Sequence, residues 1–260
     1  MGGRGSTSSS SNAYQIFTGG VTLQPTTTAA QAANNAAFPA QVAGGYTPMY
    51  NGRQYFLNQN LTTDQQIATM QYLSDTAESG TLYSASQNLN HAMSHGLKLT
   101  ANQAWMKKHL QEAMHNLGRN TTLTRYEHPD MMNTLLKASG LTKGYQNYTA
   151  AQLKNALVGT KFGEEKFLST SYNNFKNAPA RALQTFSSRP VKITYKAKAS
   201  TQAFMPGNGP GGQLGEIVLA PSNGRQNMKV VDVKYTGKMA RQKQSQSYNM
   251  PGVELVIEIE

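Results

Sequence analysis

The stretch KFLSTSYNNF, residues 166–175, decides how the rest of this chain is read. An apolar pair, Phe167 and Leu168, runs into three hydroxyl residues, Ser169, Thr170 and Ser171, and then into asparagines. Turn chemistry explains such a row by itself, because Ser, Thr and Asn bond their own backbone and stop strands. The alternative is a hydroxyl row that positions other groups, and it requires partners elsewhere in the chain. With 13 Asp and Glu against 24 Lys and Arg, the candidate acids are few and can be taken one at a time.

Moving outward, the two sides of this stretch differ in texture. Downstream, VKITYKAKA alternates Val191, Ile193 and Tyr195 with polar residues, which is strand periodicity. EIVLA, NMKVVDVKY and VELVIEIE follow, the last setting Val253, Leu255, Ile257 and Ile259 against Glu254, Glu258 and Glu260. Upstream, LTTDQQIATMQYLSD offers a Thr cap with Gln65 and Gln66 behind it, then Ile67, Met70 and Leu73 at helical spacing. A second helix is expected over 84–96. The strongest helical pattern is LTANQAWMKKHLQEAMHNLG: Thr100 caps with Gln103, Met106, Leu110, Met114 and Leu117 form one stripe beside Trp105, and Gly118 ends it. Two further helical pieces are expected over 129–138 and 149–157. Helices precede strands, so the class is α+β with a mainly antiparallel sheet.

Composition narrows the chemistry. A chain of 260 residues is ample for a sizeable core, and its lack of Cys excludes disulfides, thiolate metal sites and a cysteine nucleophile. It contains neither a long apolar run nor a basic-then-apolar leader, so no membrane is expected. MGGRGS matches the myristoylation pattern through Gly2 and Ser6, but so short a match is common by chance and no anchor is expected. The net charge of +11 suits contact with a polyanion, and also plain solubility. Residues 1–58 carry no Asp or Glu and are rich in Ser, Thr, Ala, Gln, Gly and Asn. They read as a low-complexity, mostly disordered segment, because such a composition buries too little apolar surface to offset chain entropy. Order is expected from about Leu61, within a domain over 59–260: a helical lobe over about 60–118, then a sheet over about 120–260.

Three motifs are set aside. GNGPGG matches a dinucleotide fingerprint through Gly207, Gly209 and Gly212, yet it opens a strand and holds Pro210. HAMSH spaces His91 and His95 four apart but has Ala92 where a zincin needs Glu, so no metal is expected. Nor is there a nucleophile elbow for a serine triad.

Two charged residues stand out in strand-like surroundings. Arg125 sits inside TTLTRYE, and Glu216 opens the strand in GGQLGEIVL. Alone, each is read most simply as a surface residue. In order, Arg125, Ser169-Thr170-Ser171 and Glu216 resemble the signature of the mono-ADP-ribosyltransferases, above all the clostridial exoenzymes that modify Rho GTPases and their toxin relatives. The surroundings are similar too: Phe186 and Arg189 in TFSSRPVKITYKAKA, and a glycine-rich stretch ending in GQL before the acid.

That resemblance implies an ADP-ribosyltransferase-like α+β fold, a split sheet around an NAD cleft with a helical lobe before it. It implies NAD as substrate and transfer of ADP-ribose to a protein or nucleic-acid acceptor. Glu216 would stabilise the ribosyl cation, Ser169 would orient that carboxylate and touch the ribose, and Arg125 would hold phosphate and ribose. Thr170 and Ser171 would complete the NAD-binding strand end, while Phe186 and Arg189 would cover nicotinamide and phosphate. Gln213 and Leu214 would face the acceptor. One departure is visible: the family carries Gln or Glu two residues before the acid, where this chain has Leu214, with Gln213 one step further back. Arginine-directed transfer loses support, and simple NAD hydrolysis stays open.

The MGGRGSTSSS start also resembles phage head-associated proteins bearing transferase-like domains. This keeps open a structural role with capsid or packaged DNA as partner, in the virion, beside an enzyme acting in a host cytoplasm after delivery. A nucleic-acid binder, using basic residues and tyrosines, is the third reading.

Overall fold

The structure, a computed structural model, describes residues 45–46, 49–50, 53–54, 56–58, 61–74, 81–172, 190–204, 207–208, 216–223, 227–240 and 250–260. The chain divides into two units, one of residues 1–115, 165–167 and 204–214, the other of residues 116–164, 168–203 and 215–260.

The first unit is built on α1 (Thr63–Leu73), α2 (Ala85–Ser94) and α3 (Ala101–Glu112). Each begins at a Thr or Ser followed three residues later by Gln. In α1 and α3 the cap hydroxyls of Thr62 and Thr100 accept from the backbone N–H of Gln65 and Gln103, whose side chains accept in return from the cap N–H. This reciprocal pair satisfies two donors that a helix start otherwise leaves open. Leu57, Ile67 and Met70 form a buried cluster with Leu73 and Trp105 against it.

Leu57 belongs to a segment expected to lack order. Short strands β1 (Gly45–Tyr46), β2 (Met49–Tyr50), β3 (Arg53–Gln54) and β4 (Phe56–Asn58) lie there; β1 pairs with β4, and β2 with β3. Packing therefore starts before Leu61, because residues 46–57 concentrate tyrosines, Met49, Phe56 and Leu57 as the preceding polar tracts do not.

The strongest helical pattern also ends early. The helix α3 stops at Glu112 rather than at Gly118. Beyond it, His115–Asn116 form β5, Leu117 N–H donates to the Thr201 carbonyl at 3.0 Å, and Gly118 N–H donates to that of Ala199 at 2.9 Å. Those donors are taken by a neighbouring segment instead of a fourth helical turn. Met106, Leu110 and Leu117 are nonetheless buried as expected, while Met114, past the helix end, is only partly so.

In the second unit β6 (Thr121–Glu127) leads into α4 (Pro129–Ala138), a 3-10 turn (Tyr145–Asn147) and α5 (Ala150–Leu157). Then come β7 (Lys161–Phe162), β8 (Leu168–Tyr172), β9 (Val191–Ala197), β10 (Gln202–Phe204), then β11 (Gly207–Asn208), which belongs to the first unit, and β12 (Glu216–Leu219), β13 (Met228–Ala240) and β14 (Met250–Ile259). The strand β11 pairs with β4. Among the described residues, nine strands make one sheet in the order β5-β10-β12-β8-β6-β9-β14-β13-β7. Its mapped ladders are antiparallel except β14 with β9, which is parallel.

Alternation along β14 and β9 separates two faces. Val253, Leu255, Ile257, Val191, Ile193 and Tyr195 are all buried. Tyr145 donates its hydroxyl to the Pro251 carbonyl at 2.7 Å, and Tyr235 donates to that of Tyr148 at 2.7 Å, tying the 3-10 turn to β13 and β14. The other face carries charge in register, with Lys234 opposite Glu254, Glu254 opposite Lys192, and Lys192 opposite Tyr126.

Candidate functional site

Three adjacent strands, β12, β8 and β6, bring the distant residues together. The strand β8 holds the hydroxyl row. Its Ser171 is paired with Glu216 on β12 and with Thr124 on β6, so a carboxylate and two hydroxyl residues occupy one line across the sheet. Neighbouring strands lie about 4.8 Å apart, which puts Glu216 about 10 Å from Thr124 along that line. Ser169 is two residues from Ser171 and pairs with Val218.

Thr170 points the other way and is 3% exposed. Its hydroxyl donates to the Ile217 carbonyl at 2.7 Å. That bond locks β8 to β12 in the register that seats Glu216 opposite Ser171. Thr170 was expected to bind NAD; its buried hydroxyl is spent on the sheet and acts through the backbone.

The ladder between β6 and β8 is short, Leu123 with Tyr172 and Thr124 with Ser171. Just past it, Arg125 Nη1 donates to the Ser169 carbonyl at 2.8 Å. Strict alternation starts the Arg125 side chain from the face opposite Thr124 and Glu216. The guanidinium then reaches across, past the end of the β6–β8 ladder, to the Ser169 backbone. Arg125 Nε also donates to the Glu127 carboxylate, which leaves the same strand face two residues on. Both side chains are mostly enclosed, at 22% and 15% exposed.

Tyr195, opposite Leu123 on β9, lies beside this group. Burial holds its hydroxyl well above the ordinary tyrosine value; the Arg125 charge opposes that shift, and Glu164 and Glu127 add to it. On the charged face, Glu254 accepts from Thr194 at 2.6 Å, from Lys192 at 2.9 Å and from Lys234 at 3.1 Å. Burial would raise its pKa, but the Thr194 hydroxyl and the two ammonium groups outweigh burial and hold it below the usual carboxylate value.

Arg125, Ser169, Thr170 and Glu216 are thus gathered within three neighbouring strands, with Ser171 at the centre of their register. Phe186, Arg189, Gln213 and Leu214 lie outside the described residues. A cavity of about 380 Å³ lies toward the far end of β12, lined by Thr201, Leu219, Ser222, Asn227 and Glu260 among others, and holds none of the expected residues. The rings of His91 on α2 and His95 at its C-cap lie 4.2 Å apart, tilted by 37°, and among the described residues no three His, Cys, Asp or Glu side chains cluster as a metal site. No described helix is long and apolar enough to cross a membrane.

Glu127 is what the sequence reading passed over. The signal was there, since Arg-x-Glu on a strand puts guanidinium and carboxylate on one face.

A strand carboxylate in line with hydroxyls, with a guanidinium held at the intervening strand by the Ser169 carbonyl, offers groups suited to a sugar and to an anion. Neither a protein-family model nor a curated protein sequence matches the chain. Solved structures do. Plx2a, an ADP-ribosyltransferase toxin from Paenibacillus larvae, superposes with a TM-score of 0.51 at 15% identity, over 77% of this chain and 88% of that one. For the C3 exoenzyme of Clostridium limosum the TM-score is 0.50 at 17% identity, over 92% and 98%. The enzymatic component C2-I of the C2 toxin from Clostridium botulinum gives 0.52 at 10% identity, over 90% of this chain and 48% of that one. At such identities the likeness speaks for the backbone alone, and on it the chain has the α+β fold of the ADP-ribosyltransferase toxins.

Proposed function

We propose that the protein is an NAD-dependent mono-ADP-ribosyltransferase. The observation that carries this reading is the adjacency of β6, β8 and β12, which gathers Arg125, Ser169 and Glu216 in a fold shared with enzymes of that activity. NAD supplies a labile glycosidic bond whose cleavage builds positive charge on the nicotinamide ribose. Glu216 then acts where that charge develops, as a fixed anion whose interaction is stronger in the transition state than in the ground state. Ser169 orients the carboxylate and the ribose. Arg125 offers a planar donor fork to phosphate, a geometry that lysine lacks.

The test is labelled NAD with a cell lysate, followed by mass spectrometry of whatever acquires ADP-ribose. Wild type transfers label, and Glu216→Gln lowers the rate by about 10²–10³-fold. Transfer that survives Glu216→Gln unchanged removes the assignment. Leu214, where the resembling enzymes carry Gln or Glu, favours a second reading in which water is the acceptor. Free nicotinamide without labelled macromolecule distinguishes it. A phage-head structural role is supported by the N-terminal composition alone, and tight NAD binding counts against it.

A further inference from the structure

The same strand that delivers Arg125 also delivers its holder. We propose that Glu127 is a positioning residue for the dinucleotide: it fixes the Arg125 guanidinium so that the donor fork is set before the phosphates arrive. This rests on the transferase reading and adds a residue to it.

Alternation along β6 sets the geometry. Residues 125 and 127 leave the same face of β6, so their side chains meet without any loop or turn to bring them together. Glu127 takes the Nε–H, and the Ser169 carbonyl takes an Nη1–H. An arginine side chain carries much rotamer entropy, and a planar group held at two of its nitrogens has lost most of it. A ligand met by such a group no longer bears that cost of ordering. The setting suits the role, because both side chains are largely enclosed and a charge-assisted bond there is stronger than in water.

The geometry also separates this role from mere ballast. A carboxylate against the guanidinium offsets much of its net charge, so Glu127 does not raise the local positive field. Its contribution is direction, and direction appears as affinity for the anionic ligand, with little effect on bond cleavage at Glu216. The structure therefore predicts a split between KM and kcat.

The experiment uses the full chain, NAD, and release of nicotinamide as readout. Glu127→Met keeps length and removes the acceptor; it raises KM for NAD about tenfold while kcat changes less than about threefold. Glu127→Gln keeps an acceptor oxygen for Nε–H and recovers part of that loss. An unchanged KM in the Met variant, in an enzyme where Arg125→Ala raises KM strongly, overturns the positioning role and leaves the transferase reading intact. Equal losses in kcat and in thermal stability, with no recovery by Gln, overturn it as well and assign Glu127 to folding alone. Should the Met variant not fold, Glu127→Asp withdraws the carboxylate by one methylene and is read by the same criteria. Wild type that neither binds nor cleaves NAD brings down the transferase reading itself.

Discussion

The two halves of the large sheet are built differently. On one side β9, β14 and β13 pair over long ladders: six consecutive residues join β14 to β9, from Val253 with Val191 to Glu258 with Lys196. On the other side β6 and β8 share only two mapped pairs before the Arg125 guanidinium intervenes. The first half interlocks apolar residues on one face and ion pairs on the other. In the second half the β6–β8 ladder stops after two pairs, and the Arg125 guanidinium bonds the Ser169 carbonyl beyond it. On the proposed function, stability and chemistry occupy separate strands of one sheet.

One substitution in each half separates the two most clearly. Glu216→Gln is expected to lower NAD turnover by about 10²–10³-fold and to leave the melting temperature nearly unchanged, since the residue is only half-buried at a strand start. Leu255→Ala, at a fully buried position, is expected to cost about 2–5 kcal/mol in urea unfolding with activity per folded molecule retained. If Glu216→Gln destabilises as much as Leu255→Ala, the division of labour is wrong. Thr170→Val sits on the border: it removes the bond to Ile217, and is expected to cost about 1 kcal/mol and some turnover, because the register of Glu216 loosens.

Acid titration is the mildest test. Glu254 has a depressed pKa in the folded state, so the unfolded chain binds the proton more readily. Its stabilising contribution is complete above the usual glutamate value and disappears as pH falls through the lower folded one. The expected result is a small loss of thermal stability in that acid window, reduced in Glu254→Gln. Asp232 and Glu260 are depressed by lysine partners too, but they lie at the surface, where salt screens them. An acid limb unchanged in Glu254→Gln would deny the long-ladder half its electrostatic part.

Legibility followed local physics. The helix starts were readable because a Thr or Ser cap with Gln three residues on is a short-range device, and α1, α3 and α5 use it. The strand periodicity of 253–259 was readable for the same reason. The end of the helical pattern was not, because Leu117 and Gly118 donate to the backbone of residues 199–201, far away in sequence. Likewise Arg125 and Glu216 were visible as types in order, while the commitment of Thr170 to Ile217 depends on which strand becomes the neighbour of β8. Glu127 lay in plain view beside Arg125, yet its part emerges only once the guanidinium has a place to be held.

The bond from Thr170 to Ile217 has a consequence for how such a protein can diverge. It anchors the acid from behind, on the strand side, so the glycine-rich residues ahead of Glu216 can be lengthened, shortened or rewritten without dragging the carboxylate out of line. A slip by one residue would turn Glu216 to the opposite face, and the anchored pairing resists it. On the proposed function, target choice is then free to drift in one part of the chain while the bond-breaking groups stay put in another.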